Sequence, residues 1–427
     1  MNPTRRDFLR GILAAGSAPL FLPAHIFGAN GTVSPSNKIT VGFVGTGDHG
    51  RAVNLASILT LADVEVVALC DVDRKHLGLA AEMVTRSGAA PPERALYRDW
   101  RDVIARPDID AVCISTPDHW HTPIAMAALR AGKDVLCEKP TVTIREGQLL
   151  AAAVRRYGRV YQASTEDRAL PMYHRMAELV RNGAIGRLHT IRVQLPSGNL
   201  ARRVVPIRED PVPPELDYDM WLGPAPLAPY QPERVHFNFR WIQAYSGGML
   251  TDWGCHQVDT AQWANNTEHT GPVSVEGTCV FGEGLYDTAW DFELKYVYRN
   301  GVQLRIENTG TGLRFEGDKG WVGNTAWRRP VEASSPEILD AIVPPDGVHL
   351  YTEPAREHRN FIDCVRSRRD PYFPVEKLHR LGSLLHCGNI CLKLGRKLNW
   401  NPDQEEFVGD EAANRLRARA MREPWHL

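Results

Sequence analysis

The stretch KITVGFVGTGDHG, residues 38–50, decides the fold of the first half of the chain. Its β-branched run predicts a buried strand, and the GxGxxG spacing after it predicts a tight turn that opens a helix. In such a turn the backbone approaches a pyrophosphate at the helix N-terminus. The turn residues that we expect to bind a dinucleotide are Gly45, Gly47, Asp48, His49 and Gly50.

The next strand candidate supports this interpretation. The segment VEVVALCDVD ends near Asp71, which lies 21 residues after Gly50. An acidic residue at this position accepts hydrogen bonds from the adenosine ribose, which favours NAD over NADP. Arg74 and Lys75 lie nearby and would suit a 2′-phosphate, so NADP stays open.

Two further β–α units follow, and polar residues come directly after both strands. One strand precedes Thr116-Pro117, and the other, DVLCEKP, runs into Glu138-Lys139-Pro140. Because ligands bind beyond the carboxyl ends of parallel strands, these residues should share one sheet edge with the glycine turn. We therefore expect an α/β, Rossmann-type NAD-binding domain over residues 36–158. Its further cofactor-binding candidates are Asp71, Thr116, Pro117, His121, Glu138 and Lys139.

The pattern changes from about residue 160 onward. Apolar and polar residues alternate and are interrupted by Gly or Asn, which predicts an antiparallel sheet with one covered face. A proline-rich stretch, residues 206–235, predicts a long irregular loop over a surface. We expect residues 159–427 to form an α+β substrate and oligomerisation domain.

The strongest chemistry of this half lies in SGGMLTDWGCHQVDTAQW, residues 246–263. Asp252, His256 and Asp259 are spaced i, i+4 and i+7, so a continuous helix from residue 252 would place them on one face. His256 is a natural general base, because imidazole titrates near working pH. The alternative is that Asp252 caps a helix and that His256 is a buried, hydrogen-bonded histidine.

Taken together, the GTGxxG, CDVD, STPDHWH, CEKP and GGxxxDxGxHxxD segments resemble the Gfo/Idh/MocA oxidoreductases. The resemblance implies a C-terminal domain with an open-faced, largely antiparallel sheet, through which relatives often form dimers or tetramers, and late helices that pack back on the first domain. It also implies that Lys139 contacts both substrate and cofactor, and that Asp252 and His256 line a sugar site. These three residues are the catalytic candidates.

Other substrate-binding candidates follow from chain position and from the resemblance. They are Arg168, Tyr173, Arg240 and Trp241. His121 is expected near the nicotinamide, or else as a helix-start histidine bonded to backbone. Trp120 would either stack on a sugar ring or pack in the interior.

Composition excludes several partners. The formal net charge is −1, so nothing favours nucleic acid or an anionic surface. No apolar run reaches the roughly 18 residues that a membrane span needs. The eight cysteines form no CxxC pair, and no His/Cys cluster has zinc spacing, so we expect free cysteines and no metal.

The N-terminus carries its own signal. Arg5 and Arg6 are followed by Phe8, Leu9 and a modest apolar stretch, the layout of a twin-arginine export signal over residues 1–35. The alternative is the basic start of an ordinary helix. The signal predicts a periplasmic protein that is exported folded, with its cofactor loaded.

These expectations define the predicted function. Free NAD is not maintained in the periplasm, so we expect a sugar or glycoside oxidoreductase that retains its NAD(P) and takes hydride from a ring carbon such as C3. One alternative is a hydrolase or lyase with a transient NAD oxidation–elimination–reduction cycle. Another is a non-catalytic sugar or nucleotide sensor. Beside a nicotinamide cation, the pKa of Lys139 is expected to fall.

Overall fold

A computed structural model describes residues 33–34, 37–88, 95–197, 202–354 and 356–427. Apart from residues 33 and 34, the predicted export signal lies outside these ranges. Within them, we find no helix with both the length and the apolarity needed to cross a membrane.

The first half forms a six-stranded parallel sheet, as predicted. Its strand order is β3-β2-β1-β4-β5-β6, the order of doubly wound dinucleotide-binding folds. Both faces of the central strands are covered, which explains their continuous apolar runs. The strands are β1 (Ile39–Val44), β2 (Val64–Cys70), β3 (Leu96–Tyr97), β4 (Ala111–Ile114), β5 (Asp134–Glu138) and β6 (Tyr161–Ser164).

Helices connect these strands. The ends of the helices follow the local sequence. Asp73 accepts hydrogen bonds from the first turn of the helix that begins at Arg74, and the helix that ends at Tyr157 is capped by Gly158 in the left-handed conformation. The helices are α1 (π-helical Gly50–Leu55 continuing as Ala56–Ile58), α2 (Arg74–Arg86), α3 (Trp100–Ala105), α4 (Asp118–Arg130) and α5 (Ile144–Tyr157).

The first sheet extends beyond the predicted domain boundary at residue 158. Strand β6 pairs with β5 in parallel, so the sheet continues to Ser164. A late helix, α11 (Glu357–Ser367), also belongs to this half of the molecule, because Phe361 and Ile362 are buried in one cluster with Val41.

The second half forms a nine-stranded mixed sheet in the order β13-β12-β11-β7-β10-β9-β8-β14-β15. Within this sheet, β10 and β7 are the only described strands that pair in parallel, so the predicted largely antiparallel sheet is confirmed. The strands are β7 (Leu188–Gln194), β8 (Pro272–Phe281), β9 (Ala289–Tyr298), β10 (Gln303–Glu307), β11 (Leu313–Gly317), β12 (Gly320–Asn324), β13 (Glu332–Ala333), β14 (Leu398–Asn401) and β15 (Glu406–Phe407).

The helix predicted to run from residue 252 is broken. Helix α8 ends at Asp252 and α9 begins at Gly254, with Trp253 between them. The remaining helices of this half are α6 (Pro171–Arg181), α7 (Tyr218–Leu222), α8 (Met249–Asp252), α9 (Gly254–Ala264), α10 (Pro336–Leu339), α12 (Val375–Leu394) and α13 (Glu411–Arg415).

The eight cysteines are all free, and seven of them are buried. Burial raises the pKa of the Cys113 and Cys137 thiols, as expected for small apolar-type core residues.

Candidate active site

A cavity of about 640 Å³ lies where the carboxyl edge of the first sheet faces the second half of the chain. The sequence-predicted residues that line it are Gly45, Gly47, Asp48, His49, Gly50, Asp71, Thr116, Pro117, His121, Glu138, Lys139, Arg240, Asp252 and His256. The tertiary fold therefore joins the dinucleotide motif and the candidate catalytic residues in one space.

The glycine turn is shaped by close backbone contacts. A Cβ at Gly45, where φ is +87°, would lie 2.6 Å from the Ser115 backbone, and a Cβ at Gly50 would lie 2.6 Å from the Gly45 carbonyl oxygen. A Cβ at Gly47 would instead meet only His76 Nδ1, at 3.9 Å, on the cavity side. The open side of this turn is what a pyrophosphate requires.

Asp71 is held rigidly at the end of β2. One carboxylate oxygen accepts hydrogen bonds from the Thr46 amide at 2.6 Å and the Thr46 hydroxyl at 3.1 Å, and the other accepts from the Asp73 amide at 2.9 Å. Burial raises the pKa of Asp71, although these hydrogen bonds oppose the shift. A carboxylate fixed at this place fits an adenosine ribose.

Lys139 extends from the end of β5 to the second half of the chain. Its Nζ donates to the Asp252 carbonyl oxygen at 2.7 Å and to Asp252 Oδ1 at 3.1 Å, and Arg240 Nε lies 3.4 Å from Oδ1. Burial acts to lower the pKa of Lys139, but the Asp252 carboxylate outweighs it and the pKa is raised. The expectation of a lowered pKa concerns Lys139 beside a nicotinamide cation and stays a prediction; without that cation the ammonium faces the Asp252 carboxylate.

Glu138 connects the lysine motif to the glycine turn. Its Oε1 lies 3.0 Å from His49 Nε2 and accepts from Asn54 Nδ2 at 2.8 Å. Burial acts to raise the pKa of Glu138, but His49 and Lys139 outweigh it and lower the pKa. The pKa of His49 is raised by the same carboxylate.

His256 lies at the start of α9 with one nitrogen facing acidic groups. Its Nδ1 is 3.3 Å from Thr165 Oγ1 and 3.8 Å from the carboxylates of both Glu166 and Asp167. Among the described residues, Nε2 has no hydrogen-bond partner, and the ring lines the cavity. Burial and then Lys139 lower the pKa of His256 to about 4, so the ring is neutral at pH 7.

His121 contributes through the backbone. Its Nδ1 lies 2.9 Å from the Pro140 carbonyl oxygen and its Nε2 lies 2.8 Å from the Thr116 carbonyl oxygen. The ring thus joins the ends of β4 and β5 and also lines the cavity. Trp120 packs in the interior against Trp425, with ring centroids 4.7 Å apart, and its edge reaches the cavity.

Three predicted substrate residues do not line the cavity. Arg168 is buried in an ion pair with Asp259, whose two oxygens lie 2.7 Å from its nitrogens. Tyr173 is fully buried and accepts a hydrogen bond from the Arg328 amide, and Trp241 is 4% exposed. All three side chains pack in the interior of the fold, and their predicted contacts with substrate stay predictions.

Several cavity residues were missed by sequence reasoning. Asp118 follows β4, so the rule that sites lie at strand ends would have found it. Burial raises the pKa of Asp118 to about 6, and Ser246 donates a hydrogen bond to it at 2.5 Å. Trp253 lies between the two motif residues Asp252 and Gly254. Further cavity residues come from segments that no motif marks: His76, Arg98, Glu166, His236, Phe237 and Trp327.

Two groups of side chains in or beside this cavity bring metal-type donor atoms within 4.8 Å of one another. They are Asp73, His76 and His236, and Glu166, Asp167 and His256. Both donor sets mix carboxylates with imidazoles, a combination that the spacing of these residues in the sequence did not reveal.

Comparison with known proteins identifies the class. Residues 39–165 match the Gfo/Idh/MocA description "Oxidoreductase family, NAD-binding Rossmann fold". Residues 178–427 match "Oxidoreductase family, C-terminal alpha/beta domain". The chain belongs to the Gfo/Idh/MocA oxidoreductase family, and its cofactor is NAD.

Similar proteins include enzymes that act on sugars. A levoglucosan dehydrogenase of Pseudarthrobacter phenanthrenivorans is 33% identical over 165 residues, 36% of this chain and 40% of that protein. A glycosyl hydrolase family 109 protein of Stenotrophomonas maltophilia is 38% identical over 138 residues, 31% of this chain and 29% of that protein. The chain thus covers less than half the length of either relative.

A solved structure shares the fold at low sequence identity. An aldose–aldose oxidoreductase from Caulobacter crescentus, complexed with glycerol, superimposes with a TM-score of 0.61 at 19% identity. The match covers 85% of this chain and 99% of that one.

Proposed function

We propose that this protein is an NAD-dependent oxidoreductase that acts on a CH–OH group of a sugar or glycoside. One observation carries the proposal: Lys139, Asp252 and His256 meet in the cavity that also contains the glycine turn and Asp71. Bound along that turn, NAD supplies the acceptor for the hydride of a carbon–hydrogen bond, such as the one at C3 of the ring.

His256 is the proposed general base. Its Nδ1 faces Glu166 and Asp167, which favours a proton on that nitrogen and leaves Nε2 as an acceptor. With a pKa lowered to about 4 by burial and Lys139, the ring accepts a hydroxyl proton at pH 7 without first losing one. The imidazolium that forms is stabilised by the Glu166 carboxylate.

Lys139 is the proposed electrostatic partner. Its ammonium, held charged by Asp252, donates a hydrogen bond to the oxygen from which the proton leaves and stabilises the developing negative charge. Asp252 and Arg240 hold a neighbouring hydroxyl. Because Asp252 positions both cations, its loss should disturb orientation as well as charge.

A second candidate is a glycoside hydrolase or lyase that oxidises, eliminates and then returns the hydride. The similarity to glycosyl hydrolase family 109 proteins favours it. Oxidation of a ring carbon acidifies the adjacent carbon–hydrogen bond, so the same base and lysine serve both reactions. Only the fate of the hydride separates the two.

The first prediction concerns His256. Replacing it with alanine should lower turnover of a glycoside by at least about 100-fold and leave NAD affinity unchanged, because it removes only the base. Turnover is followed by the nicotinamide reduction band and by aglycone release. The matched control is His269→Ala, an imidazole that is 72% exposed.

Each outcome assigns a function. A reduction band that rises and persists supports the oxidoreductase, whereas aglycone release without lasting reduction supports the cyclic reaction. Tight sugar binding without either signal over a broad sugar panel would support a sensor. Unchanged turnover in His256→Ala would refute the role of His256.

Location remains a proposal based on the twin-arginine segment. We propose that the protein is exported folded to the periplasm with NAD retained. Nucleotide that co-purifies with the periplasmic fraction would support this, and its loss on replacing Arg5 and Arg6 by lysine would assign the route.

The second prediction concerns assembly. We propose that the open face of the second sheet joins copies into a dimer or tetramer. Light scattering of the purified chain should give two or four chain masses, and a charge reversal on that face, such as Glu293→Lys in β9, should lower the value. A strictly monomeric protein would exclude this interface.

A further inference from the structure

We propose that residues 206–241, here called the crossing segment, clamp the adenosine half of the dinucleotide through an imidazole pair, His236 from this segment and His76 from α2. The inference rests on the proposed function, since it explains how a cofactor is retained through catalysis. It assigns a part of the nucleotide site to the second half of the chain, outside the glycine turn and Asp71.

The crossing segment is bonded to the backbone directly beyond Asp71. The Arg74 amide donates to the Glu215 carbonyl oxygen at 3.1 Å, and the Asp217 amide donates to the Val72 carbonyl oxygen at 3.0 Å. Asp73 and Leu216 form an antiparallel bridge between these two bonds. The chain that follows the ribose-binding carboxylate is therefore covered by the second half of the molecule.

A charged contact strengthens this attachment. Lys75 Nζ lies 2.6 Å from Glu215 Oε1. This lysine, one of the two cationic residues expected to suit a 2′-phosphate, is thus paired with the crossing segment.

The imidazole pair faces the cavity on the same side. The rings of His76 and His236 are 4.7 Å apart, and His236 Nε2 lies 3.5 Å from Asp73 Oδ2. Among the described residues, the side chain of His76 makes no hydrogen bond. Both rings line the cavity together with Gly47 and Asp71, so they can donate to the ribose or phosphate oxygens of an adenosine diphosphate group.

The backbone at His236 has an uncommon conformation. His236 has φ of +54°, a left-handed conformation that is uncommon for a residue with a Cβ. Such conformations persist where the surroundings enforce them, often at ligand sites. Its neighbour Phe237 lines the cavity while 56% exposed, which leaves an apolar surface for a bound group.

The short helical turn that contains His236 also reaches the end of the cavity where Asp252 lies. The 3₁₀ turn His236–Trp241 carries Arg240, whose Nε lies 3.4 Å from Asp252 Oδ1. The turn thus contacts groups at both ends of the cavity, Asp73 through His236 and Asp252 through Arg240. In the proposed clamp, slow dissociation of the cofactor follows from these contacts.

Two variants test the clamp in the full-length protein after bound nucleotide is removed. His236→Gly keeps the left-handed backbone and removes the imidazole, and His76→Ala suits a helix. Calorimetry measures the affinity for NAD, ADP-ribose and nicotinamide mononucleotide, and NADH fluorescence measures release after dilution into excess ADP-ribose. The control is Leu227→Ser, on the same segment at a side chain that is 73% exposed.

Each variant should raise the Kd for NAD and ADP-ribose by about 10-fold and speed NADH release, because a hydrogen bond to a charged or hydroxyl oxygen is lost. Affinity for nicotinamide mononucleotide and the thermal midpoint should not change, and Leu227→Ser should match the unmodified protein. Unchanged affinity for ADP-ribose in both variants would overturn the clamp, as would a loss confined to nicotinamide mononucleotide. If the variants change nucleotide binding as expected but the unmodified protein oxidises no sugar, the proposed function is refuted and the clamp is not.

Discussion

At the residue scale, the charges of Lys139 and His256 depend on the same neighbours. The Asp252 carboxylate raises the pKa of Lys139 against the effect of burial. Burial and the resulting ammonium lower the pKa of His256 to about 4. A cation and a neutral imidazole thus coexist at pH 7, which is compatible with the proposed oxidation of a hydroxyl.

The third prediction concerns His119, a buried histidine outside the proposed chemistry. Its Nε2 lies 2.9 Å from the Trp221 carbonyl oxygen, and its buried Nδ1 has no partner among the described residues. Burial lowers its pKa from 6.5 to about 3. At a pH between these two values, His119 binds a proton in the unfolded chain but not in the folded protein, so the free energy of unfolding falls as the pH falls. His119 should therefore make the protein about 2 kcal/mol less stable at pH 5 than at pH 7.5.

Urea unfolding at both pH values measures this contribution. His119→Gln keeps a donor for the Trp221 carbonyl oxygen and cannot be protonated, so its stability should fall less between pH 7.5 and pH 5. The other buried histidines are present in both proteins and cancel in the difference. Equal pH dependence of the two proteins would contradict the lowered pKa.

At the element scale, one glycine of the glycine turn is needed for folding and another leaves room for a ligand. Gly45 packs against the Ser115 backbone, whereas the missing side chain of Gly47 opens to the cavity. The two glycines of one motif therefore have different physical roles.

The fourth prediction follows from this difference. Gly45→Ala should lower the free energy of unfolding by at least about 1–3 kcal/mol, because a Cβ clashes at 2.6 Å and the φ of +87° is unfavourable. Gly47→Ala should leave stability within about 0.5 kcal/mol and weaken NAD binding by about 10-fold or more. Denaturant unfolding and calorimetric NAD titration measure the two effects; equal destabilisation by both variants would refute the assignment.

The second motif shows how much an element can alter a sequence pattern. The spacing of Asp252, His256 and Asp259 predicted one helical face, but the helix is interrupted at Trp253. Asp252 and His256 reach the cavity, while Asp259 points into the interior and binds Arg168. The sequence pattern indicated the positions of Asp252 and His256 but did not show the break at Trp253.

At the scale of the whole molecule, Arg168 connects distant parts of the chain. It follows β6, binds Asp259 on α9 and Glu268, and lies 4.9 Å from the ring centroids of Trp263 and Phe373. The side chains of Arg168 and Asp259 are each 1% exposed, so the Asp259 carboxylate has no access to water as an alternative partner.

The fifth prediction concerns this buried cluster. Arg168→Met should lower the free energy of unfolding by about 3–5 kcal/mol, because it leaves the buried Asp259 carboxylate without its cation, whereas Glu268 keeps Lys377 at 3.0 Å. The KM for substrate should be unchanged at temperatures where the variant stays folded. Urea unfolding and steady-state kinetics measure the two quantities. A stable variant with a raised KM would restore Arg168 to the substrate site.

The sequence by itself determined the dinucleotide fold, the cofactor-binding edge and the lysine motif. These depend on short-range signals, namely a β-branched run, glycines at fixed spacing and polar residues directly after buried strands, so Gly45, Asp71 and Lys139 are found where they were expected. Only the tertiary structure decided which residues of the second half complete the cavity. Arg168 and His236 show why: burial of one and exposure of the other depend on contacts with segments far away in the chain, which local patterns do not encode.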